Sequence, residues 1–384
     1  MLREVTRPAH GSDEGYVRTI LVHVSRTFAL TIPELPPGLR EAATTAYLLC
    51  RIADTIEDEP SLNAAEKVRY LTRFSHSVAV PGVEVDEDLE EARALAAELA
   101  PRFSEQTSGY ERDLVANMDR VIRVCRSLDL RSQKAIARCV EIMCVGMHHY
   151  QRSASPSGLP RLQDLDSYCY HVAGVVGEML TDLFCAYSSE IDARAAALKR
   201  LAPSFGQGLQ MTNILKDLWD DRRRGACWLP QEVFARRGFD LTRLRSESEQ
   251  SFCESLRELI GIAHGHLRHA LAFTLLIPRS ETGIRRFCGW AIGLALLTLR
   301  SIKDNPLFTA GSQVKISRRQ VKLVTLCTNL AVRSDRMLER LFEYAARDLP
   351  LIIQPSARGG AELHPPIRQQ WERESASILH SASS

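Results

Sequence analysis

The chain has 384 residues, 45% hydrophobic, 25% charged and 7% aromatic, a make-up that excludes disordered, collagenous and disulfide-scaffold classes. The length allows two or three domains, or one large one. With 49 basic and 47 acidic residues the formal charge is +2, which argues against a nucleic-acid protein working by bulk positive charge. Only seven of the basic residues are Lys. Arg suits phosphate and carboxylate recognition better than Lys, although genomic base composition explains the same bias.

Helical periodicity dominates, with Gly and Pro mainly between the periodic stretches and almost no strand-like alternation. Residues 1–15 are polar, lack a signal-peptide core and read as a flexible N-terminus. The pattern predicts helices over 38–59, closed by Pro60, and over 63–76, then a loop over 80–85. Helices follow over 88–100, 110–128 and 130–151, and a connector over 153–160. Asp164 or Asp166 caps a helix running toward Ser188. Pro203 opens another that reaches Asp221, with Gly225 ending it and Pro230 beyond. Long helices cover 251–276, 283–303 and 317–346. A polar, poorly ordered tail occupies 351–384. No internal repeat is visible. The expectation is an all-α protein with one large domain over 16–350.

The ten Cys are scattered without a C-x-x-C pair, and read as reduced, buried thiols of a cytoplasmic protein. The longest clean apolar stretch, Trp290 to Leu299, is far short of the roughly 20 residues a spanning helix needs. The chain is therefore expected to be soluble, or peripheral at the inner face of a membrane through the 283–303 helix.

Two acidic motifs carry the chemistry. In the first, Asp54, Glu57 and Asp58 share the end of a helix whose polar stripe continues back through Arg51 and Tyr47. Three carboxylates at a helix C-terminus repel one another and oppose the helix dipole, unless solvent or a cation compensates them. In the second, Asn213, Asp217 and Asp221 recur every four residues, with Gln210 preceding and Arg222, Arg223 and Arg224 following. Oxygen-only donors suit Mg²⁺ (or Mn²⁺), which prefers carboxylate plus phosphate, and the Arg cluster suits phosphate oxygens. Either stripe alone also reads as a solvated or salt-bridged helix face. Together they point to two facing Mg²⁺ clusters around a diphosphate.

Four blocks, Ser25-Arg26-Thr27-Phe28, Tyr47 to Asp58, Tyr168 to Gly174 and Asn213 to Asp221, resemble in order and spacing the signature blocks of the squalene/phytoene synthase family. The similarity covers about residues 16–345. It implies an isoprenoid synthase fold, with a central cavity between the two acidic helices. It also implies head-to-head coupling of two prenyl diphosphates. Phe287-Cys288, Asp304-Asn305 and the Val314-Lys315-Ile316 to Gln320 element resemble the squalene synthase branch. That branch implies two farnesyl diphosphates, a presqualene diphosphate intermediate and NADPH-dependent reduction to squalene. The C-terminal membrane anchor of eukaryotic members is absent, which resembles the bacterial type. Two positions depart from the pattern. Ala226 stands where the family usually has Arg, and Lys216 where Arg is common.

The resemblance assigns metal binding to Asp54, Asp58, Asp217 and Asp221, with Glu57 and Asn213 beside them. Diphosphate contacts fall to Ser25, Arg26, Arg51, Gln210, Asn213 and Arg222–Arg224. Tyr168 matches the family tyrosine implicated in catalysis. A dry cavity for carbocations has Phe28, Tyr47, Val172, Val176, Leu180, Leu209 and Phe287 as candidate lining; plain core is the other reading of each. Gly174 and Gly177 weaken their helix and make sense if substrate or a neighbouring helix approaches closely. Lys315, Arg318 and Arg319 are candidates for NADPH phosphates, since no Rossmann fingerprint is present. Other products of the family (phytoene, dehydrosqualene or presqualene diphosphate) and a non-catalytic helical scaffold remain as alternatives. Oligomeric state is not readable from the sequence.

Overall fold

A computed structural model describes residues 11–25, 27–80, 85–153, 155–243 and 249–353. Apart from short turns, the chain order is α1 (Asp13–Val24), α2 (Pro37–Asp58), α3 (Ala64–Val78), α4 (Val85–Leu99), α5 (Gly109–Ala116), α6 (Met118–Ser127) and α7 (Leu130–Ser153). There follow α8 (Leu162–Cys169), a π-helical segment Tyr170–Gly174, α9 (Val175–Tyr187), α10 (Ala195–Arg223), α11 (Glu249–Leu276), α12 (Thr282–Asp304), α13 (Arg318–Ala331) and α14 (Asp335–Ala345). No strand forms among the described residues; one isolated bridge joins Leu159 and Pro230. The fold is all-α, as the periodicity requires.

Local chemistry sets most boundaries. Pro37 opens α2, where its missing N–H costs nothing, and an extended Glu59 followed by Pro60 ends it. Capping boxes start α3 (Asn63 with Glu66) and α5 (Ser108 with Glu111). Several expected boundaries are corrected. The predicted 110–128 helix breaks at Asn117, whose side-chain amide donates to the Asp113 carbonyl at 2.8 Å. Pro203 lies inside α10, which already starts at Ala195. Arg161, not Asp164 or Asp166, occupies the cap position of α8; the Asp164 carboxylate accepts from the Arg161 N–H at 2.9 Å. The predicted 317–346 helix is two helices, the second capped by Ser334.

The N-terminal region also differs from expectation. Residues 13–15, assigned to the flexible end, begin α1, capped by Ser12. The Asp13 carboxylate accepts from Arg120 and Arg123, each at 2.7 Å. The rest of that segment (1–10), most of the predicted 80–85 loop and the tail beyond residue 353 lie outside the described residues.

The core is a layered helix bundle. α10 packs against the π segment, α9, α11 and α12, while α2 packs against α6, α7 and α9. The approach of α10 is very close. A Cβ at Gly206 would meet the Ala173 carbonyl oxygen at 1.9 Å, and one at Gly177 the Ala202 carbonyl oxygen at 2.1 Å. A neighbouring helix thus explains Gly177. The Trp290 to Leu299 stretch of α12 is mostly buried, so this helix offers no apolar face to a membrane. No helix among the described residues is long and apolar enough to cross one. All ten Cys are free thiols, eight of them buried.

Gly206→Ala is expected to lower unfolding free energy by about 1–3 kcal/mol, because backbone rather than a yielding side chain opposes the new methyl. Gly38→Ala, with open space around it, is expected to stabilise by up to about 1 kcal/mol. Urea denaturation of both variants checks this; equal effects would refute the close-approach account.

Candidate active site

α2 presents Asp54 and Asp58 toward the site, and α10 presents Asp217 and Asp221. The two stripes interact electrostatically: the negative charges of both Asp217 and Asp58 act on Asp221. Partial burial pushes the Asp54 carboxyl up to about 7, with Asp58 and Glu111 adding to the rise and Arg51 opposing it. Burial also raises Asp221, against the Arg224 guanidinium bonded to it at 2.5 Å. Both shifts have the same origin: carboxylates are held together out of bulk water without enough positive charge.

The basic groups are unevenly placed. Arg51 lies 3.8 Å from Asp54 and pairs with Glu111. Lys216 reaches Asp217 at 3.1 Å and Asn213 at 3.3 Å. Of the three consecutive arginines, Arg224 is drawn into the acidic cluster, where Asp58, Asp217 and Asp221 all act on it. Arg222 instead donates to the Pro156 carbonyl at 3.0 Å, and Arg223 pairs with Asp220. Arg26 lies outside the described residues.

No group of three or more carboxylate, imidazole or thiolate side chains able to hold an ion by themselves is present among the described residues. Mg²⁺ usually takes one or two carboxylates and completes its shell with water and substrate phosphate. The donor set is oxygen-only and its raised carboxyls gain from a cation.

Tyr168 stands between the two stripes. Burial lifts its phenol well above the ordinary value, and Glu57, Cys169, Asp221 and Asp58 add to this. Its ring stacks on Trp228 at 4.1 Å, with the planes 6° apart, and meets Tyr150 edge-on at 5.2 Å. The π segment starts two residues later, a feature that often accompanies functional positions in helices.

The Ser25 block lies against α2. The Ser25 hydroxyl accepts from the Phe28 N–H at 3.0 Å, the Tyr47 hydroxyl donates to the Val24 carbonyl at 3.2 Å, and the Phe28 and Tyr47 rings are 5.0 Å apart. Val172, Val176, Leu180 and Leu209 are half-buried and packed on the core. Phe287 is 3% exposed and packs edge-on against Phe184 within the buried core. Gly311 presses the loop before α13 onto the second motif. A Cβ there would meet Asp220 Oδ2 at 2.9 Å and Asp217 Oδ1 at 3.1 Å. Lys315, Arg318 and Arg319 therefore follow just after a contact with the acidic cluster, and all three are exposed.

Sequence reasoning missed Trp228, Glu111, Lys67 and Asp166. Burial lowers the Lys67 ammonium while Glu57, Asp58 and Glu59 oppose that shift; its signal was that Lys is rare in this chain. Asp166 accepts from Gln207 at 2.7 Å and lies 3.8 Å from His266 Nε2. Burial raises Asp166 to about 6 and lowers His266 to about 4, where His269 adds to the drop. Ser204 bridges His266 and His269, 3.2 Å from each. This network joins α8, α10 and α11 behind Tyr168, and no spacing within one helix could show it.

Residues 21–320 match the family model described as Squalene/phytoene synthase. The chain is 28% identical over 333 residues to the squalene synthase of Eremothecium gossypii, covering 86% of this chain and 70% of that protein. It is 28% identical over 338 residues to the squalene synthase of Schizosaccharomyces pombe, covering 83% and 69%. Among solved structures, a complex of TcSQS with the ligand BPH1237 superposes with a TM-score of 0.69 at 23% identity, covering 96% of this chain and 99% of that one. A ligand-bound dehydrosqualene synthase gives 0.56 at 20% identity, covering 86% and 96%. At these identities the structural likenesses show the fold alone.

The Asp166 network predicts a pH dependence. A carboxyl raised to about 6 in the folded chain, from an ordinary value of about 3.9, binds more protons folded than unfolded between those values. Its contribution to stability therefore falls as pH rises from 4 toward 6 and stays low above that. Asp166→Asn keeps an acceptor for Gln207 and does not titrate. Denaturation at a series of pH values should show the variant gaining on the parent from pH 4 to 7, and parallel curves would contradict the burial of Asp166.

Proposed function

The chain belongs to the squalene/phytoene synthase family and is a prenyltransferase, and we propose that it acts as a squalene synthase. In this reading it couples two farnesyl diphosphates head to head to presqualene diphosphate, then reduces and rearranges that intermediate to squalene. The observation that carries the reading is the pair of facing carboxylate stripes with Tyr168 between them.

Asp54, Asp58, Asp217 and Asp221 would hold Mg²⁺ (or Mn²⁺), with Glu57 and Asn213 beside them. When bound, the metal supplies Lewis-acid neutralisation of a departing diphosphate. Arg51 and Arg224, with Ser25, Arg26 and Gln210, add hydrogen bonds to phosphate oxygens. Arg224 stands in for the arginine the family usually carries where this chain has Ala226, because it already lies in the cluster. Arg222 and Arg223 assist from the rim.

Loss of diphosphate from one substrate leaves an allylic cation. The double bond of the second attacks it, and loss of a proton closes a cyclopropane. Tyr168 is the residue placed to relay that proton toward diphosphate, and the aromatic pair it forms with Trp228 favours nearby positive charge. Val172, Val176, Leu180, Leu209, Phe28 and Tyr47 exclude water from the cations. A second ionisation and rearrangement give a cation quenched by hydride, which NADPH supplies when bound. Lys315, Arg318 and Arg319 are suited to its phosphates. Two of them occupy the first turn of α13, whose Ser317 cap leaves a helix N-terminus favourable to anions. Their position just past the Gly311 contact supports a cofactor site beside the second motif. The same reading places the enzyme in the cytoplasm, peripheral at the inner face of the membrane that holds its product, as one domain over 16–350.

Incubating the purified protein with farnesyl diphosphate and Mg²⁺, with and without NADPH, and identifying products by mass tests the reading. Squalene formed only with NADPH is the expected result. Asp54→Asn or Asp217→Asn should lower turnover at least about a hundredfold, the scale of losing one electrostatic stabiliser of a transition state. Presqualene diphosphate or dehydrosqualene regardless of NADPH would remove the reductive half. Turnover of the C20 substrate alone would move the protein to the phytoene branch.

A further inference from the structure

Helix α13 is packed with its apolar sides reversed. Toward α12 it presents Val324 and Thr328. A Cβ at Gly293 or Gly289 would meet the methyls of these residues at 2.7 Å in each case. Its large apolar side chains point outward: Leu323 is 57% exposed, Leu326 58% and Leu330 72%. A surface helix ordinarily buries such residues, and isolated exposed leucines are common, but a contiguous stripe marks an interaction site. Tyr344 of α14, 71% exposed, continues the surface. Between the two helices lies an apolar groove of about 130 Å³ whose lining includes Leu271, Leu296, Leu323, Leu341 and Tyr344.

The charge around this surface is positive. Lys322 shares the outward side of α13 with the leucines, and Arg333, Arg336 and Arg340 follow on α14 and its approach. The acidic residues there are largely paired: Asp335 with Arg279 and with the buried Arg285, and Glu343 with Arg268. Glu339 is the remaining carboxylate on α14. An exposed apolar stripe flanked by Lys and Arg is the pattern of a helix lying in the headgroup region of an anionic bilayer.

We propose that α13 and the α13–α14 groove dock the protein onto an anionic lipid surface, with the leucines in the acyl boundary and the basic residues against headgroups. This assigns a surface to the membrane contact in the functional reading above and replaces α12, which is buried. The loop carrying Gly311 touches the second acidic motif at one end and leads into α13 at the other. Docking here would bring that side of the active site to the bilayer, giving an apolar product a short exit that avoids water.

The test is flotation of the full chain with vesicles of phosphatidylcholine alone, or with about a third phosphatidylglycerol. It reads binding without turnover, so its failure would leave the enzymatic reading standing. Flotation is expected only on the anionic vesicles. It should weaken when NaCl rises from about 0.1 M to about 1 M, which shortens the screening length from about 10 Å to about 3 Å. Leu326→Glu with Leu330→Glu should cut bound protein at least about tenfold, while farnesyl diphosphate turnover in detergent-free buffer is unchanged. Lys322→Glu with Arg340→Glu, which leaves the leucines intact, should also reduce flotation. Absence of flotation, equal flotation on neutral vesicles, or variants that float like the parent would overturn the proposal. So would a dimer in sedimentation that the leucine variant abolishes without any vesicle binding, since that would assign the face to a second copy.

Discussion

Carboxylates on α2 and α10 face one another, and their mutual repulsion is the constraint on which the site depends. Asp58 acts on Asp221 from across the bundle, and Asp54 is raised to about 7 by burial and by its acidic neighbours. Such an arrangement is unfavourable in the bare chain and becomes favourable when cationic charge enters. Protein cations supply only part of that charge. Arg224 and Lys216 are held by the second stripe, while Arg51 is shared between Asp54 and Glu111. In the proposed reading, the remaining deficit would favour divalent metal and an anionic substrate together, rather than either alone.

Holding like charges in place requires a stiff frame, and the tight packing around the π segment provides it. Backbone meets backbone where α10 crosses the π segment and α9, Gly206 against Ala173 and Gly177 against Ala202, at glycines that any larger residue would push apart. Dense interiors of this kind transmit rather than absorb displacement. Tyr168 sits two residues before the start of the π segment, braced by Trp228 and Tyr150. Behind it the Asp166, Gln207, Ser204 and His266 contacts tie three helices together. The tyrosine is thus positioned from both sides, as a group near a carbocation must be if its orientation matters.

The second half of the molecule links chemistry to surface. The turn at Gly311 rests on Asp217 and Asp220, and the chain then passes through Lys315 into α13. Basic residues at the start of that helix and leucines along its outer side occupy one continuous stretch of sequence. A reaction that joins charged headgroups and releases an apolar hydrocarbon, as proposed for this chain, needs both kinds of surface near the same opening.

The sequence by itself determined the all-α class, most long helices and the two acidic stripes, because these rest on residues three and four apart, whose relation a single helix enforces. It also identified the family, through blocks whose residue types are chemically constrained. It did not determine which of Arg222, Arg223 and Arg224 enters the cluster, because successive residues on a helix point about 100° apart and only the partner helices decide which direction faces charge. It left Phe287 open between cavity wall and plain core and offered α12 to a membrane, because an apolar stretch looks the same whether it faces core, ligand or lipid. It broke the 317–346 pattern nowhere, since Ser334 in a cap and Ser in a helix read alike. Trp228 and Glu111 join the site from other segments, Asp166 finds Gln207 and His266 on other helices, and the outward turn of Leu326 and Leu330 accompanies a close approach to two glycines on another helix. Those facts are properties of packing between elements, which tertiary structure alone decides.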